Sequence, residues 1–267
     1  MSGPVRLAVL GDPLRYTRSP DLHRAGAAAL GLACESVALR TPPDALAGTL
    51  ARLASEGYLG CNLTMPLKES AVALVADATP AARLARSVNT ITFRPEGMLG
   101  DTTDGAGFLD LLARLGCDPV GARVTLLGAG GAARSLAASL AGAGASIAVV
   151  SRRRPDAEPA WRGAEWCEWG SAAAQHAVTS ARVLVNATPL AGEASPVAVE
   201  TIARDALVVD LTYGPEPTPW VMAARARGLA AHDGLGLLVH QARRSLSSWF
   251  GREVPLAPLA AAVGWPR

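Results

Sequence analysis

Lysine is almost absent from this chain. Lys68 is the one lysine among 25 Lys and Arg residues in a sequence of 267. Arg stays protonated in proteins, whereas a partly buried lysine ammonium can release its proton near neutral pH. The scarcity therefore favours a requirement for a dissociable cation at position 68, although a drift of composition toward Arg would also leave a single lysine.

Other scarcities exclude whole classes of protein. The formal net charge is only +2, too small to indicate a nucleic-acid surface. The four cysteines are scattered without CxxC or Cys/His spacing, which predicts free thiols in a reducing compartment and no metal site. No apolar run of membrane-spanning length is free of charges or turn residues, and a strand-like run follows the N-terminus at once. We therefore expect a cytoplasmic protein with no membrane or nucleic-acid partner.

Short Val/Leu/Ile runs alternate with Ala/Leu-rich helical periods, which predicts βαβ units and mainly parallel sheets. The predicted strands are Val5–Leu10, Ser36–Leu39, Cys61–Leu63, Val88–Phe93, Met98–Asp101, Arg123–Leu127, Ile147–Val150, Arg182–Asn186 and Leu207–Leu211. Helices are predicted from Ser19 as N-cap, over Pro43–Ser55, after Pro66, over Ala106–Leu115, after Gly128 and over Leu235–Phe250. Two domains meeting near residue 103 follow from this order, with a ligand site between them.

A glycine-rich turn gives the strongest local signal. Gly128-Ala129-Gly130-Gly131-Ala132 directly follows a predicted strand and opens a predicted helix. Glycines there allow a tight turn and let backbone N–H groups approach a pyrophosphate at the helix N-terminus. The pattern predicts a dinucleotide site, with a structural Gly-rich turn as the alternative.

The end of the next predicted strand indicates which dinucleotide binds. An NAD-binding domain commonly carries Asp or Glu there for the ribose hydroxyls, whereas this chain has Ser151-Arg152-Arg153-Arg154. Guanidinium groups bind a 2′-phosphate through paired hydrogen bonds. The position favours NADP as the cofactor, and an Arg-rich solvent loop is the alternative.

The first predicted domain carries three polar clusters in apolar surroundings. They are Tyr16-Thr17-Arg18-Ser19 with His23, Asn62 and Thr64 with Lys68, and Asn89 followed by Asp104. Together they indicate a pocket for a small polyhydroxylated substrate, although Asn and Thr at strand ends are usually turn residues and Asp104 before Gly105 is typical of a helix N-cap. His23, inside a predicted helix, is interpreted as structural.

A series of motifs along nearly the whole chain resembles, in content and in order, the motifs of the shikimate dehydrogenase family. They are Gly11-Asp12-Pro13 with Thr17-Arg18-Ser19-Pro20 and His23, Gly60–Lys68, Ser87-Val88-Asn89-Thr90, Gly100–Gly105, Gly128–Arg134, Asn186-Ala187-Thr188-Pro189, Asp210 with Tyr213, and Asp233-Gly234-Leu235-Gly236 with Gln241. The segment around Lys68 is the most specific of them.

The resemblance implies an α/β fold of two domains. Residues 1–103, with 238–267 returning to them as a C-terminal helix, would form the substrate-binding domain, and 104–237 a Rossmann-type NADP-binding domain. The implied activity is reversible, NADP-dependent reduction of 3-dehydroshikimate to shikimate, in chorismate and aromatic amino-acid biosynthesis. The implied catalytic pair is Lys68 and Asp104.

The resemblance also implies the binding residues. The substrate would contact Thr17, Ser19, Thr64, Asn89, Asp104, Tyr213 and Gln241. NADP would contact Gly128, Ala129, Gly130, Gly131, Ala132, Ser151, Arg152 and Arg153, with Leu211 and Gly234 near the nicotinamide.

The chain departs from the family pattern in four places. Tyr16-Thr17 replaces His-Ser, Thr102 replaces Asn, Leu190-Ala191-Gly192 lacks the common Gly-Met, and Leu237 replaces a frequent Met. The first departure adds a methyl group beside the implied carboxylate site. A quinate/shikimate or aminoshikimate dehydrogenase therefore stays open as an alternative, as does a non-catalytic NADP-binding paralogue. The sequence leaves monomer and homodimer equally open.

Overall fold

The computed structural model of the chain describes residues 3–14, 16–156, 159–190 and 196–267. The first six strands are β1 (Val5–Gly11), β2 (Cys34–Arg40), β3 (Gly60–Leu63), β4 (Asp77–Ala78), β5 (Thr90–Arg94) and β6 (Gly97–Asp101). They form one sheet in the spatial order β2-β1-β3-β5-β6-β4. Strands β1, β2 and β3 are parallel, whereas β5 is antiparallel to both β3 and β6.

Four helices accompany this sheet: α1 (Ser19–Ala29), α2 (Leu46–Ser55), α3 (Leu67–Ser70) and α4 (Pro80–Ala85). Helix α2 buries Leu46, Leu50 and Leu53 against the sheet, as the spacing of its leucines requires. The predicted Ser19 N-cap of α1 is wrong by one residue, because Arg18 occupies the cap position and Ser19 is already helical. Helix α4 was not predicted, although Thr79 caps it through the N–H of Ala82.

The second sheet is entirely parallel, in the order β12-β11-β10-β7-β8-β9. Its strands are β7 (Arg123–Leu127), β8 (Ser146–Ser151), β9 (Glu165–Glu168), β10 (Val183–Asn186), β11 (Leu207–Asp210) and β12 (Ala230–His232). The Val- and Leu-rich central strands are buried on both faces, as a parallel sheet with helices on each side requires. Those helices include α6 (Gly131–Gly142), α7 (Ala172–Thr179) and α8 (Pro219–Ala226).

Three further helices connect the two sheets: α5 (Asp104–Arg114), α9 (Leu235–Phe250) and α10 (Leu256–Val263). Helix α5 packs against both α6 and α9, while α9 and α10 pack back onto α1. The predicted α/β architecture, with its C-terminal helix returning to the first sheet, is confirmed. The exact divisions at residues 103/104 and 237/238 stay predictions. Within the described ranges, no helix is both long and apolar enough to cross a membrane.

The contact between α5 and α6 depends on one glycine. A Cβ atom at Gly105 would lie 2.3 Å from the carbonyl oxygen of Ser135 and 2.2 Å from the Oγ of Ser139. The Gly105 N–H donates to the Ser135 Oγ at 2.9 Å, which fixes the start of α5 against α6. A side chain at position 105 would therefore separate the two helices.

We expect Gly105→Ala to lower the free energy of unfolding by about 1–3 kcal/mol, because the added methyl group meets backbone that cannot move locally. Gly48→Ala in α2 is the matched control, since no atom lies within 4 Å of the Cβ that it would add. The control should raise stability by up to about 1 kcal/mol through helix propensity. Urea unfolding measures both, and an equally stable Gly105→Ala protein would contradict the tight joint.

Candidate active site

An ion pair lies at the centre of the candidate site. The Lys68 ammonium donates to the Asp104 carboxylate with an Nζ–Oδ2 distance of 2.6 Å. The two side chains are only 17% and 6% exposed, so water screens the pair weakly. Lys68 is brought there by the short helix α3, which is anchored by the buried Leu67.

Asp104 is the first residue of α5, and its carboxylate does not cap that helix. Thr103 occupies the N-cap position. The Oδ2 of Asp104 accepts from Lys68, and its Oδ1 accepts from the side-chain amide of Asn89 at 2.8 Å. The alternative that Asp104 serves as an N-cap is therefore wrong.

Asn89 connects this pair to the C-terminal helix. Its side-chain amide nitrogen also lies 3.3 Å from the Gln241 Oε1 of α9, and its side-chain Oδ1 accepts from the Thr103 N–H at 2.9 Å. Asn89 is only 2% exposed, so these bonds fix the orientation of its amide. Four of the predicted site residues, Lys68, Asp104, Asn89 and Gln241, thus belong to one hydrogen-bonded group.

Asn62, from the second predicted polar cluster, extends this group through buried hydrogen bonds. Asn62 donates to the Asn89 carbonyl, to Thr90 and to Ser245, at 3.0, 3.0 and 3.2 Å. Ser245 was not predicted, yet it follows Gln241 by one helical turn and so lies on the same face of α9.

His23 has a structural role, as interpreted from the sequence. Its Nε2 lies 2.9 Å from the Asn62 Oδ1 and its Nδ1 lies 2.8 Å from the Ser36 Oγ. The amide oxygen can only accept, so Nε2 carries the proton and Nδ1 accepts from Ser36. Burial lowers the pKa of His23 to about 4, which keeps the ring neutral.

A second group joins the two sheets near the N-terminal motif. The Ser19 N–H donates to the Thr17 Oγ1 at 3.2 Å, and the two hydroxyls are 3.3 Å apart. Tyr213 follows β11; burial raises the pKa of its hydroxyl, and the neighbouring Thr17 and Arg18 oppose that rise. The ring of Tyr16 lies 5.8 Å from that of Tyr213. The substituted pair Tyr16-Thr17 therefore faces Tyr213 directly.

Along the chain, Thr64 comes after Thr17 and Ser19 of the second group and before Lys68 of the first. It follows β3, and its N–H donates to the Leu10 carbonyl of β1 at 2.9 Å. A Cβ atom at Gly11 would lie 2.3 Å from the Thr64 methyl carbon. Because β1 and β3 are parallel, the loops that carry Thr17 and Lys68 leave the sheet at the same edge.

The glycine-rich turn has the geometry of a dinucleotide site. Gly128 has φ +104°, which favours glycine, and a Cβ atom there would lie 3.1 Å from the Ala187 carbonyl oxygen. Gly130 caps α6 with nothing within 4 Å of a Cβ position, so the helix N-terminus is accessible to an anion. The turn also lies between β8 and β10, where the strand order reverses direction. The residues present therefore fit a dinucleotide.

The loop after β8 exposes Arg152, Arg153 and Arg154. The Arg154 guanidinium lies 6.0 Å from the centre of the Trp166 ring. The Ser151 hydroxyl donates to the Arg153 carbonyl at 2.6 Å and accepts from the Trp166 indole at 3.1 Å. In this structure Ser151 supports the loop that carries the arginines.

The two residues expected near the nicotinamide touch each other. A Cβ atom at Gly234 would lie 2.3 Å from the Leu211 carbonyl oxygen, and the Gly234 N–H donates to Thr212 at 2.9 Å. Only glycine permits this approach between the ends of β11 and β12.

The remaining departures from the family pattern are Thr102, the segment 190–192 and Leu237. The Thr102 hydroxyl donates to Ser135 of α6 at 3.0 Å. Leu237 packs in the core that α5 and α9 share, and Gly192 lies outside the described residues.

No group of three or more His, Cys, Asp or Glu side chains in the described part of the chain could hold a metal ion.

A lysine–carboxylate pair facing a glycine-rich turn on a parallel sheet defines a two-domain dinucleotide-binding α/β protein. The family model for the shikimate dehydrogenase substrate binding domain matches residues 9–91. A shikimate dehydrogenase (NADP(+)) from Gluconobacter oxydans (strain 621H) is 39% identical over 263 residues, which cover 94% of this chain and 92% of that relative. The chain belongs to the shikimate dehydrogenase family.

Solved structures agree with this assignment. The shikimate 5-dehydrogenase of Thermus thermophilus in complex with NADP(H) and shikimate has a TM-score of 0.87 at 32% identity, over 97% of this chain and 98% of that one. The ligand-free 5-ketofructose reductase of Gluconobacter sp. strain CHM43 has a TM-score of 0.83 at 28% identity, over 99% of both chains. The same fold thus occurs with another carbonyl substrate.

We expect the neutrality of His23 to make stability depend on pH. In the unfolded chain His23 binds a proton near pH 6.5, whereas in the folded chain it does so only near pH 4. The free energy of unfolding is therefore undiminished by His23 above pH 6.5 and falls as the pH is lowered toward 4. His23→Gln should reduce the loss of unfolding free energy between pH 7 and 5 by about 2 kcal/mol.

The matched control is His176→Gln, because His176 is exposed on α7. It should leave the pH dependence of urea unfolding unchanged. An identical pH dependence in wild type and His23→Gln would contradict a buried neutral His23.

Proposed function

We propose that this protein is an NADP-dependent shikimate dehydrogenase, which reduces 3-dehydroshikimate reversibly to shikimate. The observation that carries the proposal is the 2.6 Å contact between Lys68 and Asp104. This pair lies beside the dinucleotide turn, because a Cβ atom at Gly131 would lie 3.4 Å from the Lys68 Cβ. The curated relative at 39% identity has this activity by name, and the Thermus structure holds NADP(H) and shikimate.

In the proposed reaction NADPH would supply the hydride for reduction and NADP would accept it in oxidation, while the side chains orient the substrate and move the proton. Lys68 donates a proton to the substrate oxygen as the carbonyl becomes a hydroxyl, and it accepts that proton in the reverse direction. Asp104 holds the ammonium and accepts a hydrogen bond from the neighbouring substrate hydroxyl. Asn89 fixes the Asp104 carboxylate through its 2.8 Å bond.

The other polar groups would bind the rest of the substrate. Thr17, Ser19 and Tyr213 form one cluster of hydroxyl groups, which suits a carboxylate because three hydroxyls can donate to it. Thr64 and Gln241 would contact the ring hydroxyls. On the other domain, the N–H groups of 128–132 would bind the pyrophosphate, with Leu211 and Gly234 beside the nicotinamide.

The direct test compares candidate substrates in the reductive direction with NADPH and in the oxidative direction with NADP and NAD. We expect kcat/KM for 3-dehydroshikimate to exceed that for 5-ketofructose by at least about 100-fold, because a site built for specific hydroxyls rejects a substrate that leaves them unpaired. Shikimate should likewise be oxidised in preference to quinate and aminoshikimate. A preference for 5-ketofructose, quinate or aminoshikimate would identify that compound as the substrate instead. NADP binding without turnover of any of these compounds would indicate the non-catalytic paralogue.

We expect Arg152→Ala to weaken NADP binding by about 10- to 100-fold, because one charge-assisted contact contributes about 1.5–3 kcal/mol. NAD binding should hardly change, since NAD lacks the 2′-phosphate. Arg153→Ala in the same background should add to the loss.

The matched control is Arg154→Ala, which removes a guanidinium from the same loop but one that faces the Trp166 ring. It should preserve the preference for NADP over NAD. If Arg152→Ala weakens both cofactors equally or neither, the 2′-phosphate binds elsewhere. The cytoplasmic location stays a prediction of the sequence, and monomer and homodimer both stay open.

A further inference from the structure

The dinucleotide helix α6 touches the turn that carries the catalytic lysine. A Cβ atom at Gly131 would lie 2.8 Å from the Ser87 Oγ, 3.4 Å from the Lys68 Cβ and 3.6 Å from the Glu69 Cγ. Only the absence of a side chain at Gly131 permits this approach. The first turn of α6, which would bind the pyrophosphate, thus lies directly against the side chains of Ser87, Lys68 and Glu69.

An ion pair spans the same contact one helical turn further along α6. The Arg134 guanidinium lies 2.9 Å from the Glu69 Oε1, and it donates to the Arg86 carbonyl at 3.4 Å. Arg134 is only 9% exposed on its side chain, whereas Glu69 is 54% exposed. Arg134 follows Gly131 by three residues, so both lie on the face of α6 that meets the substrate domain.

The residues on the substrate side of this contact lie in short segments. Helix α3 has only four residues, and its Lys68 carbonyl accepts from the Val88 N–H at 2.8 Å. Arg86 ends α4 with φ 45°, a left-handed conformation that is unfavourable for a residue other than glycine. The turn of Arg86 and Ser87 therefore has a defined backbone conformation where it contacts α6.

We infer that Glu69 and Arg134 are positioning residues that couple dinucleotide binding at the N-terminus of α6 to the placement of Lys68. A ligand that fixes the first turn of α6 also fixes Arg134, which holds Glu69 and with it the neighbouring Lys68. By thermodynamic linkage, the cofactor then raises the affinity for the substrate by the same factor as the substrate raises the affinity for the cofactor. The identity of the two ligands rests on the proposed function.

The coupling is separable from stability. Glu69 is more than half exposed, so water screens its end of the ion pair, and the largely buried Arg134 guanidinium keeps its hydrogen bond to the Arg86 carbonyl when the carboxylate is removed. Removing the carboxylate should therefore leave folding nearly unchanged. A loss of coupling without a loss of stability would be the signature of positioning.

The experiment measures shikimate affinity by calorimetry, first without cofactor and then with saturating NADPH. NADPH and shikimate are both reduced, so no turnover occurs. We expect the cofactor to tighten shikimate binding in wild type by about 5-fold or more, within the usual range of coupling. Glu69→Ala should bring the ratio of the two affinities close to one, with the cofactor-free affinity unchanged within about twofold.

Two variants separate positioning from a general disturbance of the site. Arg134→Lys keeps a cation opposite Glu69 and should retain most of the wild-type ratio. Ser70→Ala changes the next residue of α3, where the hydroxyl contacts only the Leu67 carbonyl, and it should retain the full ratio.

A wild-type ratio of one, or an unchanged ratio in Glu69→Ala, would overturn the inference even if the enzyme oxidises shikimate normally. A wild-type protein that neither binds nor oxidises shikimate would contradict the proposed function as well. The two failures are therefore distinguishable.

Discussion

The contact between Lys68 and Asp104 is the constraint on which the site depends. The two residues come from separate helices, and their side chains are largely buried at a 2.6 Å separation. Gly105 lets α5 begin directly against α6, and Asn89 donates to the second carboxylate oxygen of Asp104. The packing of α5 against α6 and the contact of Asp104 with Lys68 therefore both depend on the first turn of α5.

Much of this arrangement could be predicted because its signals are local. The strand, Gly-rich turn and helix around Gly128 have distinct periodicities, and the positive φ of Gly128 explains why glycine is needed there. Pro66 marks the start of the helix that carries Lys68. The scarcity of lysine indicated a dissociable cation, and the structure places that residue against a buried carboxylate.

The rest depends on contacts between distant segments. Strand β4 has two residues and exists only through its pairing with β6, so no periodicity could reveal it. The Asn62 hydrogen bond to Ser245 joins residues 183 positions apart. The Ser19 cap failed because capping depends on backbone angles, which place Arg18 outside the helix. The contact of Glu69 with Arg134 likewise requires both domains to be in place.

The most direct measurement of the central claim is the turnover of Lys68→Arg with saturating shikimate and NADP, together with its shikimate dissociation constant. Arg keeps the positive charge opposite Asp104 but does not release a proton at neutral pH. The proton-transfer role predicts a fall in kcat of about 10²–10⁴-fold, with shikimate affinity changed far less. A folded Lys68→Arg enzyme that retains more than about half of the wild-type turnover would contradict general acid–base catalysis by Lys68.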